Sequence, residues 1–581
     1  MRASPRRLCD RAVCSEGGLR TAVIATAGAS LLEVHRRGFT VELLQQLEGR
    51  LVFAGGVDAS FRSAAGAVFE SPNSGFVVND TAVDRYGRVF VVGHADSGRD
   101  GFTEAIMGRL GTEGRRDTTF STFGAFNGTP RGMVEFKQVL ALREGGYVMS
   151  GSTSDHQHRL IAFDSRGRIN TSFGRNGVAI LGDVQVTQLL QQPDGKIVAV
   201  GSGLTPDFVS NGFSESRNFI VRFLADGRLD RDYGNAGWVD VGVAGFLEDS
   251  DLTNNVITSA SLDPSGRLLL SIRNHFTTLD DADNNPHSTS TILLRFGGKG
   301  EPDPRFVGRR IHRDSSERGT AGLDVLPAIS VTRSDGQIVA LSRLRGESNA
   351  VVDLTLRGAH AQIPPDRVVH SGIITNGLFV VPTLADGVIA AVEDNKIVVA
   401  GALLEGSVTT PVLVRFDENL QHDLTFGTNG ILRLPNTGGA VEATEVMHNP
   451  DGTLTAVLAA PPEASARADD PTIVRVFQDD RPVVAFRGAT RKGSQIRVTT
   501  SIRGINPIDG ASIDSKDIYL VDEAGGRAKA RMLGFLQRNN GDYSATYSFA
   551  RSAGTFSVVS VGGQVEDDLA NRQRTIATIT I

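Results

Sequence analysis

Two histidines are spaced so that they could form one edge of a metal site. His156 and His158 are separated by one residue, and in an extended segment such residues point to the same side. Neutral imidazoles are common ligands for zinc and other transition metals. No third ligand is visible near them, so a pair of surface histidines is the simpler interpretation.

An acidic segment between residues 280 and 285 is the other candidate for metal binding. Closely spaced carboxylate and amide oxygens are the ligands that calcium prefers. The glycine and the terminal glutamate of an EF-hand loop are missing, so a solvated loop is the expected alternative. Calcium is the only cofactor that the sequence leaves open, and its candidate ligands are Asp280, Asp281, Asp283, Asn284 and Asn285.

Short catalytic motifs are absent from the sequence. It has no GxSxG elbow, no HExxH pair, no P-loop and no GxGxxG that opens a helix. Cys9 and Cys14 are the only cysteines, so from Ser15 onward there is no thiol nucleophile and no cysteine-based zinc site. We therefore assign no catalytic, cofactor-binding or metal-binding residue from the sequence.

The composition excludes several classes of protein. The 581 residues carry a net charge of −6, whereas proteins that coat a phosphate backbone are usually basic, so no nucleic-acid partner is expected. Hydrophobic residues make up 40% of the chain, which is enough for a large core, and the 66 glycines indicate many turns. No apolar stretch reaches the ~20 residues that span a bilayer, so no integral membrane segment is predicted.

A tight turn followed by an apolar strand recurs along the chain, at intervals of 50 to 71 residues. Asp-Gly between two apolar runs is a strong hairpin signal, because both turn residues tolerate positive φ. One hairpin cannot bury its own faces, so the copies are expected to pack on each other. The middle residues of the seven turns are Gly87, Gly145, Gly195, Gly266, Gly336, Asn395 and Gly452.

Each copy continues with a second strand and then a third element, in which Asp or Asn precedes an aromatic residue by three positions. With a strand that leads back to the next turn, each repeat has four strands. The second strands span 104–110, 159–164, 218–224, 291–297, 350–356, 411–417 and 472–478. The third elements are Asp117–Phe120, Asn170–Phe173, Asp230–Tyr233, Asp303–Phe306 and Asp423–Phe426, and the fifth copy lacks one.

A third element also precedes the first full copy, at Asp58–Phe61, and is missing after the last copy. The N-terminal segment can therefore supply the strand that the final repeat lacks, which would remove exposed sheet edges. Residues 51–480 are thus predicted to form a seven-bladed β-propeller closed by an N-terminal strand, in an all-β chain. A β-solenoid is the alternative, but its repeats are usually shorter.

The segment 193–237 resembles the delta-60 repeat, which is found in bacterial secreted and surface proteins. It contains PDGK, IVAVG, NFIVRF and ADGRLD, followed by an aromatic residue and glycine. The resemblance extends over roughly residues 58–480 and implies a β-propeller-like fold and a secreted or cell-envelope location. It does not imply an activity.

Two residue types of the repeat have alternative interpretations. The recurring aromatic residue either packs between neighbouring repeats or stacks against a ligand. The recurring arginine is expected to make structural hydrogen bonds and not to act as a catalytic cation. It occurs as Arg109, Arg222, Arg295 and Arg415.

The chain outside the repeats is predicted to form two further segments. Residues 1–50 are expected to be a leader or disordered segment; basic residues before an apolar run make a signal peptide one alternative. Residues 481–581 contain short apolar strands at a spacing typical of a β-sandwich. Within them, the stretch 541–571 resembles bacterial immunoglobulin-like or cadherin-like modules, which most often serve as spacers or adhesive units.

Three long insertions point to a binding surface. Segments 203–217, 274–290 and 403–410 follow the second strand of each blade, counted from the strand that leads into the tight turn. Loops at equivalent positions should emerge on one face. Repeat proteins commonly bind their partners with such a face.

Three functions remain open on this basis. The first is a non-enzymatic secreted or cell-surface interaction protein that binds a glycan or protein partner. The second is a propeller enzyme that acts on glycans or resembles a quinoprotein oxidoreductase, which needs carboxylates, histidines or arginines converging at one mouth of the channel. The third is an intracellular scaffold.

Overall fold

The structure is a computed structural model in which the chain divides into two compact units, Met1–Val52 and Phe53–Ile581. In the first unit, β1 (Ala22–Ile24) pairs antiparallel with β2 (Leu32–Val34). The residues described are 22–24, 32–34, 56–58, 61, 76–96, 103–120, 125–127, 132–203, 217–241, 256–276, 288–303, 309–311, 324–345, 350–357, 368–370, 373–374, 377–380, 388–435, 442–459, 472–479, 483–492, 494–504, 508, 510–522, 526–538, 542–550, 556–560, 565 and 578–580.

These described residues contain no α-helix, and the predicted all-β class is confirmed. Two short 3-10 helices span Glu393–Asn395 and Gly510–Ser512. All the longer elements are strands joined by antiparallel pairing.

Seven sheets built from successive stretches of chain occupy the described part of the repeat region. Sheet 1 contains β4 (Phe76–Val83), β5 (Val89–Asp96), β6 (Thr103–Leu110) and β7 (Ala125–Asn127). Sheet 2 contains β8 (Met133–Ala141), β9 (Tyr147–Thr153), β10 (His158–Phe163) and β11 (Val178–Gly182). Sheet 3 contains β12 (Val184–Gln191), β13 (Ile197–Gly203), β14 (Arg217–Phe223) and β15 (Trp238–Asp240). Sheet 4 contains β16 (Val256–Leu262), β17 (Leu268–Phe276), β18 (Ser288–Phe296) and β19 (Arg309–Ile311).

The later sheets follow the same order, with one enlargement. Sheet 5 contains β20 (Asp324–Thr332), β21 (Ile338–Arg345), β22 (Ala350–Arg357) and β23 (Val368–His370). Sheet 6 contains β24 (Ile373–Ile374), β25 (Gly377–Val380), β26 (Ile389–Ala391), β27 (Ile397–Glu405), β28 (Val408–Phe416) and β29 (Ile431–Arg433), and both β25 and β26 pair with the long β27. Sheet 7 contains β30 (Glu442–His448), β31 (Leu454–Ala459) and β32 (Thr472–Phe477).

The fourth strand of sheet 7 comes from near the N-terminus. Strand β3 (Gly56–Val57) pairs antiparallel with β32, in the register Gly56 to Phe477 and Val57 to Val476. Ile473 of β32 also shares a hydrophobic cluster with Val89 and Val91 of sheet 1. The displaced strand predicted from the sequence is therefore found in the last sheet, which contacts the first.

The tight turns predicted from the repeat connect the first two strands of sheets 1 to 5 and 7, and connect β26 to β27 in sheet 6. In sheet 1, Asp84 accepts hydrogen bonds from the N–H groups of Tyr86 (2.9 Å) and Arg88 (3.0 Å), and Gly87 has φ of 73°. A short carboxylate that bonds to its own turn favours the turn over a continuing strand. The sheet edge that bears these turns is called the turn side below, and the opposite edge, where the second strand leads into the third, is called the loop side.

The C-terminal residues form two four-stranded sheets around a shared hydrophobic core. We call them the C-terminal module. The first sheet has the order β33 (Val483–Lys492), β34 (Gln495–Arg503), β38 (Tyr543–Phe549) and β37 (Arg531–Gln537). The second has the order β36 (Arg527–Lys529), β35 (Ile518–Asp522), β39 (Phe556–Ser560) and β40 (Thr578–Thr580). Apolar alternation in the sequence predicts six strands in this region, and each of the six segments contains one: 495–504, 517–526, 530–537, 542–549, 554–563 and 575–581. Strands β33 and β36 are additional ones that the sequence did not suggest.

Candidate functional site

The first strands of successive sheets lie against one another. The pairs in contact are β4 with β8, β8 with β12, β12 with β16, β16 with β20, β20 with β26, and β26 with β30. The first and last of these strands are joined by a hydrogen bond of 2.6 Å from Thr81 Oγ1 to Glu445 Oε2.

A β-bulge in several first strands directs one polar side chain toward the next sheet. In sheet 1 the pairing register shifts between Val78 and Asp80, and equivalent shifts occur in β12, β16 and β30. Such an extra residue re-aims the side chains beside it. The resulting intersheet bonds are Val139 N–H to Asp80 Oδ2 (2.7 Å), Ala260 N–H to Gln188 Oε1 (2.6 Å), Ser330 N–H to Ser259 Oγ (3.0 Å) and the Thr81–Glu445 bond.

Four polar side chains of sheets 1 and 2, which we call the loop-side cluster, meet near the loop side: Asn79, His94, Glu135 and Lys137. Asn79 Nδ2 lies 3.1 Å from Glu135 Oε1 and 3.4 Å from His94 Nδ1. Glu135 also lies 3.5 Å from His94 Nδ1 and 3.5 Å from Lys137 Nζ. The His94, Glu135 and Lys137 side chains are 25%, 23% and 29% exposed, so a ligand could reach them.

Backbone contacts hold the cluster in place. The bulge at Asn79 turns its amide toward sheet 2, where Nδ2 donates to Phe136 O at 2.6 Å. Glu135 and Lys137 lie on β8, which itself has register shifts near both residues. The cluster thus depends on two irregular strands, β4 and β8. Its combination of residue types does not recur in the other described sheets.

Burial sets the protonation of two groups near the cluster. Burial raises the pKa of Asp80 to about 7, although the N–H groups of Val139 and Thr81 donate to its carboxylate and oppose the change. Burial, followed by the positive charge of Lys137, lowers the pKa of His158, so this imidazole is neutral at pH 7.

Three carboxylates in this region already accept hydrogen bonds within the protein. Asp80 accepts two backbone N–H groups, Glu445 accepts the Thr81 hydroxyl, and Glu135 accepts the Asn79 amide. The loop-side cluster offers donors and acceptors side by side at a partly exposed surface. Such a set suits a ligand rich in hydroxyl groups, which both donate and accept.

The turn side carries charged residues of a different kind. In four sheets an arginine of the third strand bonds to the aspartate of the third element; Arg222 Nε, for example, donates to Asp230 Oδ2 at 2.8 Å. The same guanidinium donates to a carbonyl of the following sheet, as Arg222 Nη1 does to Gly298 O at 2.6 Å. The equivalent intersheet bonds are Arg109 to Ser165 O (2.6 Å), Arg415 to Gln478 O (2.6 Å) and Arg475 to Thr112 O (2.7 Å).

Sheet 5 makes the same connection with a different residue. Leu356 pairs with Val339, the register position that arginine holds in sheets 1, 3, 4, 6 and 7. Arg333, in the preceding turn, donates instead to Glu418 O of sheet 6 at 2.8 Å. The degenerate fifth copy of the sequence therefore keeps an intersheet arginine bond.

The C-terminal module docks on the turn side, where sheets 7 and 1 meet. Arg503 of β34 lies 3.2 Å from Asp58 Oδ2, forms an ion pair with Asp451, and donates to Thr112 O at 3.3 Å. Arg475 lies beside it. We call Asp58, Asp451, Arg475 and Arg503 the seam; the relative exposure of these residues is between 0% and 4%.

Electrostatic complementarity keeps Asp451 and Arg475 of the seam ionised. Burial opposes the charge on Asp451, but Arg503 and Arg475 hold the pKa of this carboxyl below its usual range. Burial and the neighbouring Arg503 lower the pKa of Arg475 to about 10, which still leaves it charged at pH 7.

Outside the seam, Glu113 adds two more ion pairs to the module. Glu113 pairs with Arg487 at 2.9 Å and also with Arg538. The ring of Tyr86 packs against the module core. One turn of sheet 1 is therefore held by several side chains of the module.

Comparison with known proteins identifies the architecture of the repeat region. A family model described as a domain of unknown function (DUF5122) beta-propeller matches residues 192–232 and 393–426. These two segments carry the turn, strand and third element of sheets 3 and 6. The repeat region has a β-propeller fold. No curated protein matches the sequence.

Several solved structures are similar to this chain at low sequence identity and low TM-score. A protein of unknown function from Dyadobacter fermentans is 11% identical, with a TM-score of 0.35, over 73% of this chain and 98% of its own. The polysaccharide lyase Uly1 is 11% identical, with a TM-score of 0.39, over 69% of this chain and 89% of its own. The plexin A4 extracellular region is 7% identical, with a TM-score of 0.34, over 90% of this chain and 67% of its own. These similarities carry no information on function.

The recurring aromatic residues pack inside the propeller. Phe120, Phe173, Tyr233 and Phe426 are at most 2% exposed, and a guanidinium lies 4.1 to 4.6 Å from the ring centroid in three of these cases. Arg475 stacks in the same way on Phe61, at 4.5 Å. The packing interpretation is therefore confirmed for these rings, and the recurring arginines are structural.

The predicted metal sites find no support in the described residues. His156 lies in a turn with φ of 62° and His158 in β10, and no group of three His, Cys, Asp or Glu side chains there could hold a metal ion. The acidic segment 280–285, with its calcium hypothesis, lies outside the described residues.

The predicted binding loops are partly corrected. Segment 403–410 is not an inserted loop: β27 and β28 continue through it in register to Glu405 and Val408, and Gly406, at φ of 66°, closes a two-residue turn. In segment 274–290, β17 and β18 remain paired as far as Phe276 and Ser288. Most of segment 203–217 lies outside the described residues.

No described helix combines the length and the apolar character needed to cross a bilayer. The loop-side cluster was not found from the sequence, because its members come from two repeats and follow no motif. The adjacent polar pair Asn79-Asp80 in an otherwise apolar strand was the one signal available.

Proposed function

We propose that the repeat region is a closed seven-bladed propeller and that the C-terminal module is an immunoglobulin-like spacer. The pairing of β3 with β32 supports closure, as do the bonds from Arg475 to Thr112 and from Thr81 to Glu445. The first contact places an N-terminal strand in sheet 7, and the other two join sheet 7 to sheet 1. All three connect residues that are far apart in the sequence. The resemblance to delta-60 repeats agrees with this assignment.

The proposed function is that of a non-enzymatic secreted or cell-envelope interaction protein, which binds a glycan on the loop side. The observation that carries the proposal is the loop-side cluster, in which an amide, an imidazole, a carboxylate and an ammonium group lie within 3.5 Å of a neighbour. The module occupies the turn side, so the loop side is the propeller face that it leaves accessible near sheets 1 and 2.

A glycan panel with two variants tests this function. A ligand that binds only the folded protein stabilises it by about 2.7 kcal/mol at a hundredfold excess over its dissociation constant. We expect one glycan class to raise the melting temperature, and Glu135→Gln to remove that rise. Glu405→Gln is the matched control. Glu405, in sheet 6, is likewise a partly exposed carboxylate with a cationic partner, Arg433. Equal shifts in both variants, or none with any glycan, would contradict the proposal and leave a protein partner as the better explanation.

A second candidate is an enzyme that acts on glycans. Asp80 and Glu445 both bond to Thr81, and burial raises the pKa of Asp80 to about 7, as in a carboxyl group that can act as a general acid. The measurement is product release from the glycan that binds. Turnover that Asp80→Asn abolishes without loss of binding would replace the binding function with this one.

A further inference from the structure

One edge strand of the C-terminal module exposes an unusual concentration of apolar side chains. Of the nine exposed large hydrophobic residues among those described, three lie on β37: Leu533 (46% exposed), Phe535 (44%) and Leu536 (71%). Strand β37 ends its sheet and pairs only with β38 in the described part of the chain. Its outer edge therefore presents backbone groups that a further strand could pair with.

The apolar side chains lie on both faces of this edge. Phe535 pairs with Ala545, which is fully buried in the module core, so Phe535 is on the core-facing side. Leu536 pairs with Ser544 and is on the opposite side. A strand added beside β37 would contact both side chains, whereas a flat surface such as a membrane would contact only one face.

The charge of the same stretch is entirely basic. Residues 527–538 contain no acidic residue. Arg527 and Lys529 on β36 and Arg531 on β37 are exposed, while Arg538, just beyond β37, pairs with Glu113. In an antiparallel pair of two β37 strands, cations of one copy would face cations of the other, which is destabilising. The charges thus disfavour a second copy and favour an acidic strand.

We propose that β37 binds an extended acidic segment of a partner protein, which adds to the module sheet as a fifth strand. Main-chain hydrogen bonds would supply the affinity, as in other cases of strand addition, while Phe535 and Leu536 would receive apolar side chains on either face. The exposed cations at the start of β37, Arg531 with Arg527 and Lys529, would select an acidic end. The site lies on the module and does not depend on the glycan function proposed for the propeller.

The test uses the full-length protein and two labelled synthetic peptides. Both have a core of alternating valine and threonine; one has glutamates at its ends and the other has lysines. We expect the acidic peptide to bind with a dissociation constant of about 10–100 µM and the basic one at least about tenfold more weakly. Amide hydrogen exchange in β37 should slow when the acidic peptide binds, because its outer edge becomes paired.

Two matched variants distinguish binding at β37 from non-specific binding to exposed apolar residues. Leu536→Lys should weaken the acidic peptide about tenfold, a loss typical of one apolar contact of this size. Ile180→Lys should leave binding unchanged, since Ile180 is a 68% exposed residue on β11, another edge strand. Equal binding of the two peptides, or binding that survives Leu536→Lys, would overturn the proposal. So would Leu536-dependent self-association, or Leu536-dependent binding to phosphatidylglycerol vesicles in place of the peptide.

Discussion

The seam and the loop-side cluster contain similar residue types but differ in how water reaches them. The seam residues are at most 4% exposed, and Arg503 alone contacts two aspartates and a carbonyl. In the cluster, the charged side chains are about a quarter exposed and none lies closer than 3.5 Å to its ionic partner. Tight, buried ion pairs hold elements together, whereas loosely paired and accessible ones can exchange partners with a ligand.

The position of the seam explains why its charges are buried. It lies where the two ends of the repeat region meet and where the C-terminal module docks, so each contributing segment covers the others. A buried ion pair is not strongly stabilising compared with apolar residues of the same size, but removing one partner leaves an uncompensated buried charge. The seam is therefore expected to be far more sensitive to single substitutions than the cluster.

Arg503→Met should have the largest effect on stability. It leaves Asp58 and Asp451 buried without their shared cation, and we expect the free energy of unfolding to fall by about 3–5 kcal/mol. Urea denaturation measures the change, provided that the transition is a single cooperative one. Arg433→Met is the control, because Arg433 is 46% exposed and its pair with Glu405 should contribute less than about 1 kcal/mol. Similar losses in both variants would show that the seam is not special.

The second largest difference in stability is expected between alanine substitutions at two glycines, one on the turn side and one on the loop side. Gly227, on the turn side, has φ of 77°, and a Cβ there would lie 2.7 Å from the Phe173 ring. Gly406, on the loop side, has φ of 66° with no atom within 4 Å of such a Cβ. Gly406→Ala should lower the free energy of unfolding by about 1 kcal/mol, through left-handed backbone strain alone. Gly227→Ala adds overpacking, so the free energy of unfolding should fall by about 3 kcal/mol. Thermal denaturation compares the two, and equal losses would mean that the aromatic ring moves aside.

The repeat sequence predicted the turn side well because its interactions are local or periodic. The Asp58–Phe61 element was placed correctly from its spacing alone: Asp58 N–H donates to Arg475 O at 2.7 Å, just as Asp230 N–H donates to Arg222 O at 2.9 Å. Hydrophobic alternation likewise identified six strands of the C-terminal module.

Contacts between distant segments were not predictable in this way. Arg503 is one of many arginines in the sequence, and only the docking of β34 brings it to Asp451 and Asp58. The missed strand β33 contains charged and polar residues in its second half, which hides the alternation. The cluster depends on β-bulges, and a single extra residue leaves no periodic trace.

The pH dependence of stability should have opposite signs for two aspartates. Burial raises the pKa of Asp80 to about 7, so between about pH 4 and pH 7 the folded state binds more protons than the unfolded one, and stability falls as the pH rises. The pKa of Asp423 is lowered: burial acts to raise it, but hydrogen bonds from Lys396 and Thr425 outweigh that effect. The stability that ionised Asp423 contributes is therefore lost as the pH falls below about 4. Asp80→Asn should flatten the decline between pH 4 and 7, and Asp423→Asn should not. Urea titrations at several pH values measure both slopes, and an unchanged slope in Asp80→Asn would place its ionisation below this range.

Glu135→Gln should change stability least. The glutamine keeps one oxygen to accept from Asn79, and the ionic partners His94 and Lys137 are partly exposed, so water can replace the lost interaction. We expect a change of less than about 1 kcal/mol in the free energy of unfolding, as for other exposed ion pairs. A loss comparable to that of Arg503→Met would show that Glu135 is a structural residue like those of the seam, and would remove the basis for assigning ligand binding to the loop side. A small change, with loss of the ligand-induced rise in melting temperature, would separate binding from stability at a single side chain.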